Sequence, residues 1–173
     1  VRTARRPRLI VRADLSLLDD LPAGLELRPL ASMLATASDH LRAVFGDHVG
    51  GDGAMQRLNT ALARDGVWLR VAPGTQVAQP IHLLVVGTTA ATDIAWHLRH
   101  AIELGAGASV QVVEQYLGDS TTAQFGNVVE HVWLGAGSRL DHVRLQDCAV
   151  STTLVSRAEV HVAEGAALRS VAL

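Results

Sequence analysis

The chain has 173 residues, 49% of them hydrophobic, which is enough for one domain with a sizeable core and too little for two comfortable ones. Fifteen basic residues stand against 17 acidic ones, a formal net charge of -2, so no global field draws the chain to nucleic acid or to an acidic membrane surface. Every Lys-or-Arg position is Arg, which removes the usual candidates for Schiff-base and P-loop chemistry, and only 3% of residues are aromatic. The core must therefore be aliphatic, and its β-branched share favours strands.

In chain order, Arg2, Arg5, Arg6, Arg8 and Arg12 form a basic cluster that reads as a solvated terminus. The start lacks the apolar run of a signal peptide and an initiator Met, as in a processed product or an excerpt of something longer. No apolar stretch approaches the roughly 18 residues that span a bilayer. A short alternation near Leu9 and Val11 is followed by Leu30, Leu34, Ala37, Leu41 and Val44, whose spacing predicts a helix over Leu30 to Phe45. Gly46 to Gly53 breaks it, and Met55, Leu58 and Leu62 mark a second short helix, ended by Asp65-Gly66. From Val67 the apolar period falls to two, with Val67, Leu69 and Val71 on one face and Trp68 and Arg70 on the other, which is strand behaviour.

Turn signals then recur at a fixed interval: Gly74, Gly105-Ala106-Gly107, Gly135-Ala136-Gly137 and Gly165-Ala166-Ala167. Ile102, Val132 and Val162 fall in register before the last three. A period of roughly 20 to 50 residues is the mark of a solenoid, in which no single unit can bury its own apolar face but stacked units can. The expected fold is mainly β, a parallel β-helix of about 30 residues per coil with three to four coils. It occupies residues 66–173, after a helical segment over 1–65. The register is poorer after the turn, where Val110 and Leu140 align with Ser170, and Val112 with His142.

Two sets of residues carry a family resemblance. One is Leu58-Asn59-Thr60-Ala61-Leu62, Asp65-Gly66-Val67, Val71, Pro73-Gly74 and Pro80-Ile81-His82. The other is Ile102 to Ala108 with Glu114-Gln115-Tyr116, and Leu140 to Gln146. Over roughly Pro22 to Leu173 the chain resembles the SufB/SufD family of iron-sulfur cluster assembly. Its SufB side usually carries a Cys soon after the residue matching Glu114. Gln115 and Tyr116 stand here instead, so the resemblance is to the SufD side. It implies a right-handed β-helix behind a helical region, and a non-catalytic cytoplasmic scaffold that pairs with SufB-like and SufC-like subunits. The complex as a whole would assemble the cluster. Family members run to over twice this length, with more coils and a C-terminal helical segment that docks the ATPase SufC. The SufD residues thought to assist at the SufB interface lie beyond the matched stretch, so the resemblance supplies no catalytic, cofactor-binding or metal residue.

The residues themselves offer little chemistry at sequence level. Cys148 is the single cysteine, so neither an intrachain disulfide nor a thiolate cluster can form, and a reducing cytoplasm fits. It reads as a small loop residue. His97 and His100 fall on opposite faces of a strand, His131 and His161 are expected as a solvent-facing stack on adjacent coils, and His82 reads as a strand-start residue. No metal or cluster ligand set emerges. Ser151-Thr152-Thr153 lacks a nucleophile-elbow setting, and Gly105 to Ser109 lacks the Lys and helix of a phosphate loop. Parallel β-helices also host polysaccharide-active enzymes with paired acids, but Glu103, Glu130, Asp141, Glu159 and Glu164 look scattered. A solenoid repeat without a cluster role is the other alternative. Val171-Ala172-Leu173 follows the last corner without a polar cap, an open edge through which the isolated chain is expected to form homodimers.

Overall fold

The computed structural model describes residues 21–30, 32–33, 53–87, 92–118 and 122–173. The basic cluster, the Leu9 and Val11 alternation and most of the helix expected over Leu30 to Phe45 lie outside them. Leu30, Ser32 and Met33 are helical. Strand β1 (Leu25–Pro29), which the sequence reading did not place, pairs antiparallel with β2 (Val67–Val71). Between them stands helix α1 (Ala54–Leu62).

The rest is strand: β3 (Ile81–Gly87), β4 (Ile94–Leu104), β5 (Ser109–Gly118), β6 (Gln124–Leu134), β7 (Arg139–Asp147), β8 (Thr152–Val162) and β9 (Ala167–Ala172). One sheet runs β1-β2-β4-β6-β8 and the other β3-β5-β7-β9, and every pair beyond β1-β2 is parallel. The chain alternates between the two sheets and so climbs as a β-solenoid of about three turns. Leu69, Ile102 and Val132 stack from β2, β4 and β6 against Val110, Val112 and Leu140 of the second sheet in one continuous aliphatic cluster. Each such side chain contributes about 1.5–3 kcal/mol through burial.

At the corners Gly74, Gly107, Gly137 and Gly165 adopt φ of 72, 66, 65 and 68°, where a β-carbon would be strained. Their amides form a ladder, Gly74 N–H to Ala106 O, Gly107 to Ala136 O and Gly137 to Glu164 O. This corrects the alignment read from sequence. Gly165 matches Gly107 and Gly137 rather than Gly105 and Gly135, whose place in the last coil is taken by Ala163. Ile102 and Val132 accordingly stack on Val160, whereas Val162 follows Leu104 and Leu134. Leu168, not Ser170, continues Val110 and Leu140. The cause is a shorter loop: Leu117 and Gln124 are seven positions apart, while their partners Asp147 and Thr152 are five apart.

Helix α1 lies across the outer face of β4 and β6 with its polar side inward. Asn59 Nδ2 donates to Leu98 O at 2.8 Å and to Asn127 O at 2.9 Å, Asn127 Nδ2 donates to Met55 O at 2.8 Å, and Arg99 Nη2 donates to Thr60 Oγ1 at 2.9 Å. Met55, Leu58 and Leu62, the residues that betray the helix in the sequence, are its exposed face, while Gln56 and Asn59 are buried. The link back to the solenoid is tight. A β-carbon on Gly66, at φ 148°, would fall 1.7 Å from the Arg99 carbonyl oxygen.

Candidate functional site

Along β5 the buried positions alternate as Val110, Val112, Glu114 and Tyr116, so the inward face turns from aliphatic to ionisable halfway along the strand. The same change occurs on the neighbouring strands. β4 presents His100 before Ile102, β6 presents Glu130 before Val132, and β7 presents His142 and Arg144 after Leu140. These side chains meet inside the solenoid, with Glu114 0% and Glu130 2% exposed.

Arg144 is the hub, placing Nη2 2.6 Å from Glu130 Oε2 and Nε 3.1 Å from Glu114 Oε2. Its Nη1 donates to Ser156 Oγ of β8 at 2.9 Å. Tyr116 donates its hydroxyl proton to Glu114 Oε1. His142 Nε2 stands 3.3 Å from Glu114 Oε2 and 3.8 Å from Glu130 Oε1. His100 Nε2 lies 3.5 Å from Glu114 Oε1, and its Nδ1 accepts from the Val67 amide at 3.1 Å, which leaves the neutral ring's proton on Nε2.

The two carboxyls are driven apart. Burial opposes ionisation of Glu114, but the adjoining His142, His100, Glu130 and Arg144 outweigh it and hold the group well below the usual carboxylate range. Burial, then the charge and hydrogen bond of Glu114, push Glu130 up to about 7 against the pull of Arg144 and His142. Burial first, then the Glu114 carboxylate, raises the Tyr116 phenol, and burial lowers the His100 imidazole. The cluster thus holds one firmly ionised carboxylate, one carboxyl poised near neutrality and a guanidinium between them.

The residues singled out from sequence are dispersed around this cluster. His97 and His100 do face opposite ways, His97 edge-on to Phe125 at 6.5 Å and His100 inward. His82 is the second residue of β3 and pairs with Gln115 Oε1 at 3.0 Å. The expected His131 and His161 ladder is corrected by the shortened loop, since His131 stands opposite Glu159 and His161 opposite Trp133. His131 is also 1% exposed rather than solvent-facing. The rings stack diagonally, His131 on Trp133 at 5.6 Å and Trp133 on His161 at 5.9 Å.

Cys148 sits in the loop between β7 and β8, half-buried, with Sγ 4.0 Å from Tyr116 O. Burial, then Asp147, raises its thiol. Of the acids, Glu103 accepts from Trp68 Nε1 at 2.8 Å, Asp141 lies 3.4 Å from Arg139, and Glu159 lies between His131 and His161. Glu130 alone among them belongs to a carboxyl pair, and that pair is enclosed where no sugar chain reaches it.

The comparisons with known proteins bear on the same stretch. The SufBD core domain of the SUF system for Fe-S cluster assembly matches residues 86–173. An iron-sulfur cluster assembly SufBD family protein of Synechocystis sp. is 26% identical over 141 residues, covering 77% of this chain and 31% of the relative. The chain therefore spans less than a third of that relative's length.

Proposed function

The chain belongs to the SufBD family of the SUF iron-sulfur cluster assembly system, and from that premise we propose that it is a non-catalytic scaffold of the SufD type. In this reading it pairs with a SufB-like subunit and presents a SufC-like ATPase in the cytoplasm. The cluster is the cargo of the complex rather than a group held by this chain. Proteins of the family are generally non-catalytic assembly components.

The observation that carries the role is the coincidence of the family match with the stacked coils β4 to β9, whose ionisable centre is buried among the described residues. The SufD assignment rests on Gln115 and Tyr116, which follow Glu114 where a Cys is usual on the SufB side. Tyr116 is buried against Trp96 and bonded to Glu114. Among the described residues no helix is long and apolar enough to cross a membrane.

The test is co-expression of the tagged full chain with the SufB-like and SufC-like subunits of the same genome. A stoichiometric ternary complex, with ATP hydrolysis only when the SufC-like subunit is present, is the expected result. A SufB-SufC complex that forms and excludes this chain would overturn the assignment.

A further inference from the structure

Three side chains inside the solenoid offer ligand atoms all within 4.8 Å of one another: Glu114, Glu130 and His142. They come from β5, β6 and β7, so no local spacing in the sequence brings them together. The separations from His142 Nε2, 3.3 Å to Glu114 Oε2 and 3.8 Å to Glu130 Oε1, approach what donors adopt around one small cation. With bonds near 2.1 Å in tetrahedral or octahedral geometry, neighbouring donors lie roughly 3–3.5 Å apart.

A second observation is independent of the acids. His142 Nε2 is buried and makes no hydrogen bond, although it points at two carboxylates. The buried nitrogen is thus within ion-pair reach of both acids but short of hydrogen-bond geometry to either, so folding leaves its bonding capacity unfilled. His100 Nε2, fully buried and likewise without a hydrogen bond, aims at the other oxygen of Glu114. With its Nδ1 occupied by the Val67 amide, His100 is placed to orient Glu114 as an outer-shell donor.

We propose that Glu114, Glu130 and His142 form a buried site for a single divalent first-row transition cation. Imidazole and carboxylate donors suit zinc, iron(II) and manganese(II). Arg144 contacts Glu130 through Oε2 and leaves Oε1 toward His142, so it orients that ligand from behind. Tyr116 holds Glu114 by Oε1, while Oε2, the oxygen that faces His142, also accepts from Arg144 Nε at 3.1 Å and keeps a second lone pair for the cation. Arg144 is steadied in turn by Ser156 on β8, an exposed residue whose hydroxyl accepts from Nη1 at 2.9 Å. The proposal does not depend on the SufD assignment.

The test uses the full chain, stripped with a chelator and titrated with Mn(II) and with Zn(II) by calorimetry. Saturable binding of one cation per chain is expected, with a raised thermal midpoint. Loss of an outer-shell partner alone costs about 10- to 100-fold in affinity, so Glu130→Gln and His142→Ala should each weaken binding by at least about tenfold. Glu130→Gln keeps the side-chain volume, and circular dichroism checks that it folds. Independently of any variant, imidazole nitrogen NMR of the wild-type chain with Zn(II) should shift His142 and leave His82 in place. Absence of saturable binding to the wild type, or a shift at His82 with none at His142, would overturn the site. Binding that survives undiminished in both variants would do the same.

Discussion

Arg144 on β7 crosses the solenoid interior to Glu130 on β6, Nη2 to Oε2 at 2.6 Å, so a single side chain ties one sheet to the other. The same guanidinium holds Glu114 of β5 through Nε. Replacing it with an apolar group of similar length leaves two enclosed carboxyls with no fixed counter-charge. Breaking such a buried pair from one side costs about 3–5 kcal/mol. Arg144→Met should lower the denaturation free energy by that amount, and adding Glu130→Gln should restore part of it. Additive losses in the double variant would show that the two side chains are not coupled.

The architecture is legible because the apolar period of two and the Gly corners are local signals, and the repeat multiplies them. The register of the last coil is not. The two missing residues fall in the loop after Asp147, and Gly165 can be aligned with either of the two glycines of the earlier corners until the amide ladder is seen. The cluster escapes for a different reason. Glu114, Glu130 and His142 each stand at a position that, one coil or two residues away, carries Val or Leu, so inwardness is readable for the neighbours only. Which strands face one another across the interior is a property of the two-sheet topology. Helix α1 shows the opposite hazard, because its apolar spacing reports helix correctly while its polar face makes the contacts with the sheet.

The poised carboxyl has a pH signature in chelator-treated protein. Glu130 is at about 7 in the folded chain against an ordinary value of 4.5, so between those two values the folded state keeps a proton that the unfolded state has released. Stability from this group falls as pH rises through the window and levels off above it, by at most about 3 kcal/mol. Glu114, held low, acts in the other sense, contributing stability above the ordinary carboxyl value that is lost as pH falls through its folded value. His100, also held low, withdraws stability as pH falls below 6.5. Glu130→Gln leaves the His100 contribution in place, and the Glu114 contribution, to which Glu130 itself adds, lies at pH values below that window. The variant should gain relative to the wild type from pH 5 to pH 8. A difference in thermal midpoint that stays constant over that range would contradict the assignment.

The stack of Ile102, Val132 and Val160 predicts that Val132→Ala costs about 1–3 kcal/mol through lost burial and a residual cavity. Val162, 54% exposed and in the next register position, should tolerate the same change within about 0.5 kcal/mol. His131→Ala is not a surface control, because the ring is buried on Trp133 beside Glu159. It should cost at least about 1 kcal/mol. Urea midpoints for the three variants rank the registers directly, and equal costs at Val132 and Val162 would restore the uniform 30-residue alignment.

Asn59 is the pin that holds α1 to the coils. Its amide nitrogen bridges two successive strands by donating to Leu98 O and Asn127 O, and the reciprocal bond from Asn127 to Met55 O closes the contact. The apolar side of α1, with Met55, Leu58 and Leu62 exposed, supplies no comparable anchor among the described residues. The helix is nine residues long, short of what stands alone in water, and it has no side-chain N-cap. Its persistence therefore rests on these polar contacts. Asn59→Leu keeps the volume, removes the bridge and leaves two buried carbonyls short of a donor, at about 1–3 kcal/mol. The consequence should be local. Amide hydrogen exchange across residues 54–62 should accelerate strongly, while the amides of β5 and β7 keep their protection. Uniform acceleration through both sheets would mean that α1 is part of the folding unit rather than a clasp on its surface.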